Sequence, residues 1–195
     1  RDGVMSELYG VTNWDFPFRG HKCQGDWQAA LGVTLRVHHL AWLSMEGQSK
    51  RDYPAAIGPQ SPWYKEYNLI EDHFARVNVA LTSGKALVRV GVIHPIESAW
   101  LHRGVAQLDN GAFQAQEQAF GNCVNWLTDG QIDFDFIAES LLPVQHTNTT
   151  DTKLHAGQMP YDVIVLPQLP RIRSTTPSIP QKFHDSAVSV ILPRA

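Results

Sequence analysis

The hydrophobic and polar positions of this chain follow two periods in turn. Short apolar or alternating runs, rich in β-branched and aromatic residues, are separated by stretches with apolar residues every third or fourth position. GVMSELYG is a strand-like piece ending at Glu7, and the turn-rich VTNWDFPFRG follows it as a loop. HKCQGDWQAALG predicts a helix with Cys23, Trp27 and Leu31 on one face and Gly32 as its C-terminal stop. Behind that stop, VTLRVHHLAWLS predicts a strand. MEGQSKRDYPAAIGPQSPWY holds too many Pro, Gly and Ser for a regular element and is a long loop, of a length that usually signals function or disorder. Its aromatics and its charged KRD core favour function. A helix from about Pro62 to Ser83 comes next, with Ser61 to cap it, Pro62 at its first position and Gly84 to end it. Ile70, Phe74, Val77 and Leu81 form its buried face, and Asp72 can pair with Arg76 on the surface.

From Lys85 the pattern changes. ALVRVGVIHP is almost continuously apolar, as a strand buried in a parallel sheet would be. AFQAQEQAFGNCVNWLTDG is helical, with Phe113, Phe120, Val124 and Leu127 on one stripe and Gly130 at its stop. IDFDFIAES is a second strand, QHTNTTDTK a surface loop and YDVIVLP a third strand. A Pro-broken helical piece then runs to about Ser186, and AVSVILP is a fourth strand. This order predicts a right-handed, doubly wound α/β domain over 85–195, with a boundary near residue 84. The first part, 1–84, has two strands and two helices, too few to bury a parallel sheet on both faces. The chain also stops just after a strand with no closing helix. Both features predict a segment of a longer polypeptide or a truncated gene product.

Composition narrows the function classes. With 43% hydrophobic and 18% charged residues the 195-residue chain is of ordinary globular type. A net charge of -3 without a basic block gives no electrostatic case for nucleic acid or an anionic membrane. No apolar run approaches the roughly 18–20 residues that span a bilayer, and no signal-peptide pattern opens the chain. Cys23 and Cys123 belong to no CxxC or Cys/His pattern and are expected as two buried thiols. No cofactor or metal motif is present: G-x-G-x-x-G and G-x-x-x-x-G-K-[ST] are both absent.

Candidate chemistry gathers at the ends of the first two strands. Glu7 ends one; His38, His39 and Trp42 end the next. The loops 8–20 and 44–61 add Tyr9, Trp14, Asp15, Phe16, Phe18, Arg19, Arg51, Asp52 and Tyr53, with Trp63 just beyond. Aromatic faces beside carboxylates and basic donors suit a sugar ring. Each has a plainer alternative. Glu7 can be a surface carboxylate, the aromatic loops a domain interface, and Arg51–Asp52 an ion pair. Adjacent His on a strand point to opposite sides, so His38 and His39 cannot share one metal ion.

SELYGVTNW, and then GDWQAALGVTLRVHHLAWLSMEGQSKRDYPAAIGPQSPWYKEY, resemble the C-terminal barrel segment of large α-L-rhamnosidase-like glycoside hydrolases. The shared pattern is a Ser-Glu-x-x-Gly strand end, an Asp-Trp helix before Gly-Val, a strand ending in His, and a KRDYP loop leading to Pro-Trp. The layout is also similar to barrel β-galactosidases, in which the last strand and helix lead into a glutamine-amidotransferase-like domain. The resemblance implies an α/β fold class: terminal strands and helices of a (β/α)8 barrel over 1–84, then a flavodoxin-like, class I amidotransferase-like doubly wound domain over 85–195. It makes Glu7 the nucleophile or general base and has His39 hydrogen-bond to the sugar. Arg51, Asp52 and Tyr53 line the subsite, with Trp14 and Trp63 to stack on it. A carbohydrate is the partner implied, with a homo-oligomer through the second domain as a further option.

Glycoside hydrolysis needs two carboxyl groups. In such barrels the acid comes from an earlier strand, so this chain as it stands is expected to lack the pair. Asp15, Glu46 and Asp52 are nearby substitutes without a motif behind them. The second domain is expected to lack amidotransferase chemistry, because Cys123 falls mid-helix and no Cys or Ser stands at the turn after YDVIVLP. Two function classes result: part of a glycosidase acting on α-L-rhamnosides or related plant-type glycosides, or a non-catalytic remnant or carbohydrate-binding module.

Overall fold

The computed structural model describes residues 3–51, 57–102, 111–146, 153–167, 171–174, 176 and 189–191. It is an α/β chain that divides into two compact units, Arg1–Ala86 and Leu87–Ala195.

In the first unit, strand β1 (Met5–Leu8) pairs in parallel with β2 (Leu35–His38), Met5 opposite Leu35 and Glu7 opposite Val37. Helix α1 (Phe18–Ala30) connects them, and α2 (Asn68–Thr82) follows the long loop. Period-two alternation divides the pair into two faces. Ser6, Leu8, Arg36 and His38 are buried or half-buried, whereas Met5, Glu7, Leu35 and Val37 are exposed on a face that no described residue covers.

Helix α1 packs through a different face from the one its apolar residues suggest. Cys23, Trp27 and Leu31 are exposed, and His21, Gly25 and Ala29 are buried. The cause is close approach: the ring of Phe74 on α2 occupies the space a Cβ at Gly25 would need. Backbone contact with an aromatic ring outweighs side-chain hydrophobicity in fixing the helix's rotation. The expected stop is present. Gly32 is left-handed (φ 99°), its N–H bonds to Ala29 O at 3.0 Å, and Val33 N–H bonds to Gln28 O at 3.0 Å, a Schellman motif.

Helix α2 begins at Asn68, well after Pro62. Residues 58–67 form successive turns (Ser61 N–H to Gly58 O at 2.9 Å, Tyr64 N–H to Ser61 O at 3.3 Å) and a short 3-10 turn at Tyr64–Glu66. Ser61 is buried and caps nothing, and the helix starts where it buries Tyr67. Tertiary burial overrides the local capping signal. Of the expected stripe, Ile70 and Phe74 are buried, Val77 is half-buried and Leu81 is exposed at the rim of a shallow groove of about 220 Å³.

The second unit is built on a four-stranded parallel sheet. Its order is β4 (Phe134–Ala138), β3 (Val90–His94), β7 (Val163–Val165), β8 (Ser189–Ile191). Helices α3 (Ile96–His102), α4 (Gly111–Asp129) and α5 (Leu142–Gln145) lie between strands in sequence. A hairpin of β5 (Leu154–Ala156) and β6 (Met159–Tyr161), turning at left-handed Gly157, follows the stretch expected as a loop.

Both faces of this sheet are covered. Ile93, Ile137 and Ile164 pack with Leu142, Leu154 and Tyr161 on one side. Val92 and Val165 pack with Cys123, Phe120 and Leu127 on the other. The buried line of α4 therefore runs through Gln116 and Cys123 rather than centring on Val124. Both cysteines are free; Cys123 is buried as expected, but Cys23 is exposed. No described helix is long and apolar enough to cross a membrane.

Candidate functional site

The carboxyl ends of β1 and β2 carry the candidate residues of the first unit. Glu7, one residue before the end of β1, is on the uncovered face opposite Val37 and has no hydrogen-bond or ion-pair partner among the described residues. The chain then enters a turn in which Tyr9, Val11 and Asn13 all have positive φ (68°, 59° and 65°). Non-glycine residues rarely adopt that conformation, and strain of this kind gathers at functional sites. Tyr9 is fully buried and anchors the turn. Its ring lies 4.5 Å from that of His21, 5.3 Å from His38 and 6.2 Å from Phe16. The Thr12 hydroxyl closes the turn by donating to Tyr9 O at 2.7 Å. Burial pushes the Tyr9 phenol up, against the lowering effect of Arg36.

His39 follows β2 and is tied to β1 by its N–H, which bonds to Leu8 O at 2.8 Å. Its ring lies against Gly10, where a Cβ would come within 3.2 Å of the imidazole. Among the described residues His39 Nδ1 is buried without a partner, and so are the indole nitrogens of Trp14, Trp42 and Trp63 and the hydroxyl of Ser61. Buried indole N–H groups usually find an acceptor. Gln60 holds the second loop by donating to Trp42 O at 2.6 Å. Arg51 ends a short 3-10 turn (Gly47–Arg51) and is exposed. Asp52 and Tyr53 lie outside the described residues. The structure thus joins His39 to the strand of Glu7. No hydrogen bond, ion pair or ring contact links Glu7 to Trp14, Arg51 or Trp63 among the described residues.

Beneath this rim is a polar cluster that the sequence did not disclose. His38 Nε2 is 2.9 Å from the Tyr67 hydroxyl and 3.2 Å from Glu71 Oε1. Arg36 donates to Glu71 Oε2 at 3.1 Å and to the Tyr9 hydroxyl at 3.4 Å, and its guanidinium lies 3.8 Å above the Phe74 ring. Fully buried His21 donates from Nδ1 to Pro17 O at 3.1 Å, and its ring is 5.3 Å from Tyr67. Burial holds His38 below the ordinary histidine value, with Arg36 and His21 acting the same way and Glu71 opposing them. Tyr67 is pushed well above the usual phenol range by burial, then by Tyr9 and Glu71. The one available sequence signal was the two-residue spacing of Arg36 and His38, which puts them on one strand face. Their acidic partner is more than thirty residues away.

In the second unit the HPIE stretch ends β3. The His94 ring packs between Phe120 (5.4 Å) and Phe136 (5.8 Å). Glu97 pairs with Arg173, which holds its carboxyl below the usual range. Glu139 is buried and accepts from Arg173 N–H at 2.7 Å and from the Thr176 hydroxyl at 2.6 Å. Cys123 lies within α4, where burial pushes its thiol up. Among the described residues no group of three His, Cys, Asp or Glu side chains could hold a metal ion.

No protein-family model matches the chain, and no curated protein matches it. Among solved structures the chain is similar to a rhamnosidase from Novosphingobium sp. PP1Y. The TM-score is 0.59 at 16% identity, over 98% of this chain and 17% of that one. The chain therefore spans about a sixth of that protein's length. At this identity the likeness speaks for the fold, a rhamnosidase-like α/β arrangement.

Proposed function

We propose that the chain is part of a glycoside hydrolase acting on α-L-rhamnosides or related plant-type glycosides, with Glu7 as nucleophile or general base. The observation that carries this reading is the position of Glu7. In a (β/α)8 barrel, strand residues alternate between the interior and the helices, and catalytic groups lie at the carboxyl ends. Ser6, Leu8, Arg36 and His38 take the helix side here, and Glu7 takes the other side at the carboxyl end of β1. A strained turn follows it directly, and His39 is seated beside it. In this reading residues 1–84 are the last strands and helices of such a barrel. His39, Trp14, Arg51, Asp52, Tyr53 and Trp63 face the sugar, and the acid carboxylate comes from an earlier strand. The all-parallel order β4-β3-β7-β8 supports a flavodoxin-like, amidotransferase-like second domain. Its role is structural or homo-oligomeric, since the buried thiol of Cys123 cannot serve as a nucleophile.

The test is hydrolysis of an aryl-glycoside panel led by the α-L-rhamnoside. It compares this chain, a version extended upstream in its reading frame, and Glu7→Gln in that version. The expected result is activity in the extended chain, a loss of about 10³-fold or more in Glu7→Gln, and an inert short chain. Activity in the short chain would place both carboxylates within these residues and sink the barrel reading. If nothing is hydrolysed but L-rhamnose binds, the binding-module reading replaces it.

A further inference from the structure

The polar cluster under the rim contains one atom with two competing partners. His38 Nε2 faces the Tyr67 hydroxyl at 2.9 Å and Glu71 Oε1 at 3.2 Å, both from the start of α2. The Tyr67 hydroxyl is also a group with few choices. It belongs to a buried residue, and among the described residues its hydrogen has no other acceptor within bonding distance than this nitrogen. A buried O–H left undonated is costly, so Tyr67 donates and Nε2 accepts. The ring is then neutral with its proton on Nδ1. Glu71 can only accept, and in this state it has Arg36 as its partner, through Oε2 at 3.1 Å.

We infer that His38, Tyr67 and Glu71 form a proton-driven latch between β2 and the first turn of α2. A proton taken from solvent at Nε2 converts that atom from acceptor to donor. The Tyr67 O–H loses its acceptor, and the new N–H bonds to Glu71 Oε1. One carboxylate then bridges Arg36 and His38, residues two apart on the same strand, so the tie from His38 to the α2 segment passes from the Tyr67 hydroxyl to Glu71. The groups that face His38 set the condition for this change. They are Tyr9 from the turn after β1, His21 from α1, Arg36 on β2, Tyr67 at the N-cap of α2 and Glu71 in its first turn. Burial, Arg36 and His21 oppose the proton, and among the described residues only Glu71 welcomes it. The latch therefore works on the acid side of an ordinary histidine, below about pH 6.5. It is independent of the glycosidase reading and is tested on the chain itself.

The experiment is an NMR titration of the histidine rings of the whole chain, with His38→Gln assigning the resonance. At neutral pH the nitrogen shift of Nε2 should be that of an unprotonated, hydrogen-bonded acceptor. Glu71→Gln should move the His38 midpoint to lower pH, because the anion that favours the protonated ring is gone. Tyr67→Phe should move it to higher pH, because the neutral ring loses its donor. The two variants must act in opposite directions. A protonated Nε2 at neutral pH in the unmodified chain overturns the proposal without reference to any variant. So does a Tyr67→Phe midpoint that stays put or falls, or a Glu71→Gln midpoint that stays put or rises.

Discussion

At the scale of single residues, the turn after β1 is where local preference and structure disagree most. Tyr9 and Val11 are poor choices for a left-handed backbone, and Gly10 between them has no positive φ. A reader of YGVTN would assign the left-handed position to the glycine, so the turn was not legible; only Asn13 fits the usual preference. Val11 is exposed, so little burial would be lost on replacing it. Val11→Gly should therefore stabilise the fold by about 0.5–1 kcal/mol, the relief of a left-handed β-branched residue less the entropy of an added glycine. Thermal melting reads this directly, and an unchanged or lower midpoint would show that the turn holds no strain there. The cysteines differ at the same scale. One thiol per chain, Cys23, should react with a disulfide reagent in the native state, and both should react in denaturant.

At the scale of elements, the main strands and the longer helices were legible because burial leaves period two in strands and a stripe in helices. Most of the helical piece expected up to Ser186 lies outside the described residues, and the short α3 and α5 were not legible. The rotation of α1 was not, because it depends on a contact between Gly25 and Phe74, far apart in sequence. Gly25→Ala puts a methyl into the Phe74 ring and should destabilise the first unit by about 1–3 kcal/mol, measured by urea unfolding. The start of α2 was missed for a related reason: Ser61 and Pro62 are a good local start, but Tyr67 has the better burial. The burial of His38 beside it gives the unit a dependence on acid. The folded value of His38 lies below its unfolded value of about 6.5, so the unfolded chain takes up the proton first as pH falls. Stability is full above that value and declines as pH drops from it through the folded value. Urea midpoints at pH 7.5 and pH 5 should differ in this sense, and His38→Gln should reduce the difference. An unchanged slope in that variant would assign the acid sensitivity elsewhere.

At the scale of the whole chain, the two units differ in how far their sheets are covered. The α/β class and the parallel strands of 87–195 were readable from near-continuous apolar runs such as ALVRVGVIHP, which demand cover on both faces and have it. The hairpin Leu154–Tyr161 was not, because its strands are too short to show a period. Expressed separately, 87–195 should melt cooperatively, whereas 1–86 should bind a fluorescent dye specific for open apolar surface. Equal dye binding by the two pieces would contradict the difference in cover. The uncovered face of β1 and β2, with Met5, Leu35 and Val37 in the open, also has a meaning inside a cell. Chaperones and proteases recognise unfolded chains by apolar surface of this kind. The lifetime of the polypeptide in the cell would then be set by whatever lies over that face. Pulse-chase decay of the chain, with Leu35 and Val37 unchanged or replaced by Thr, would measure how strongly the cell reads it.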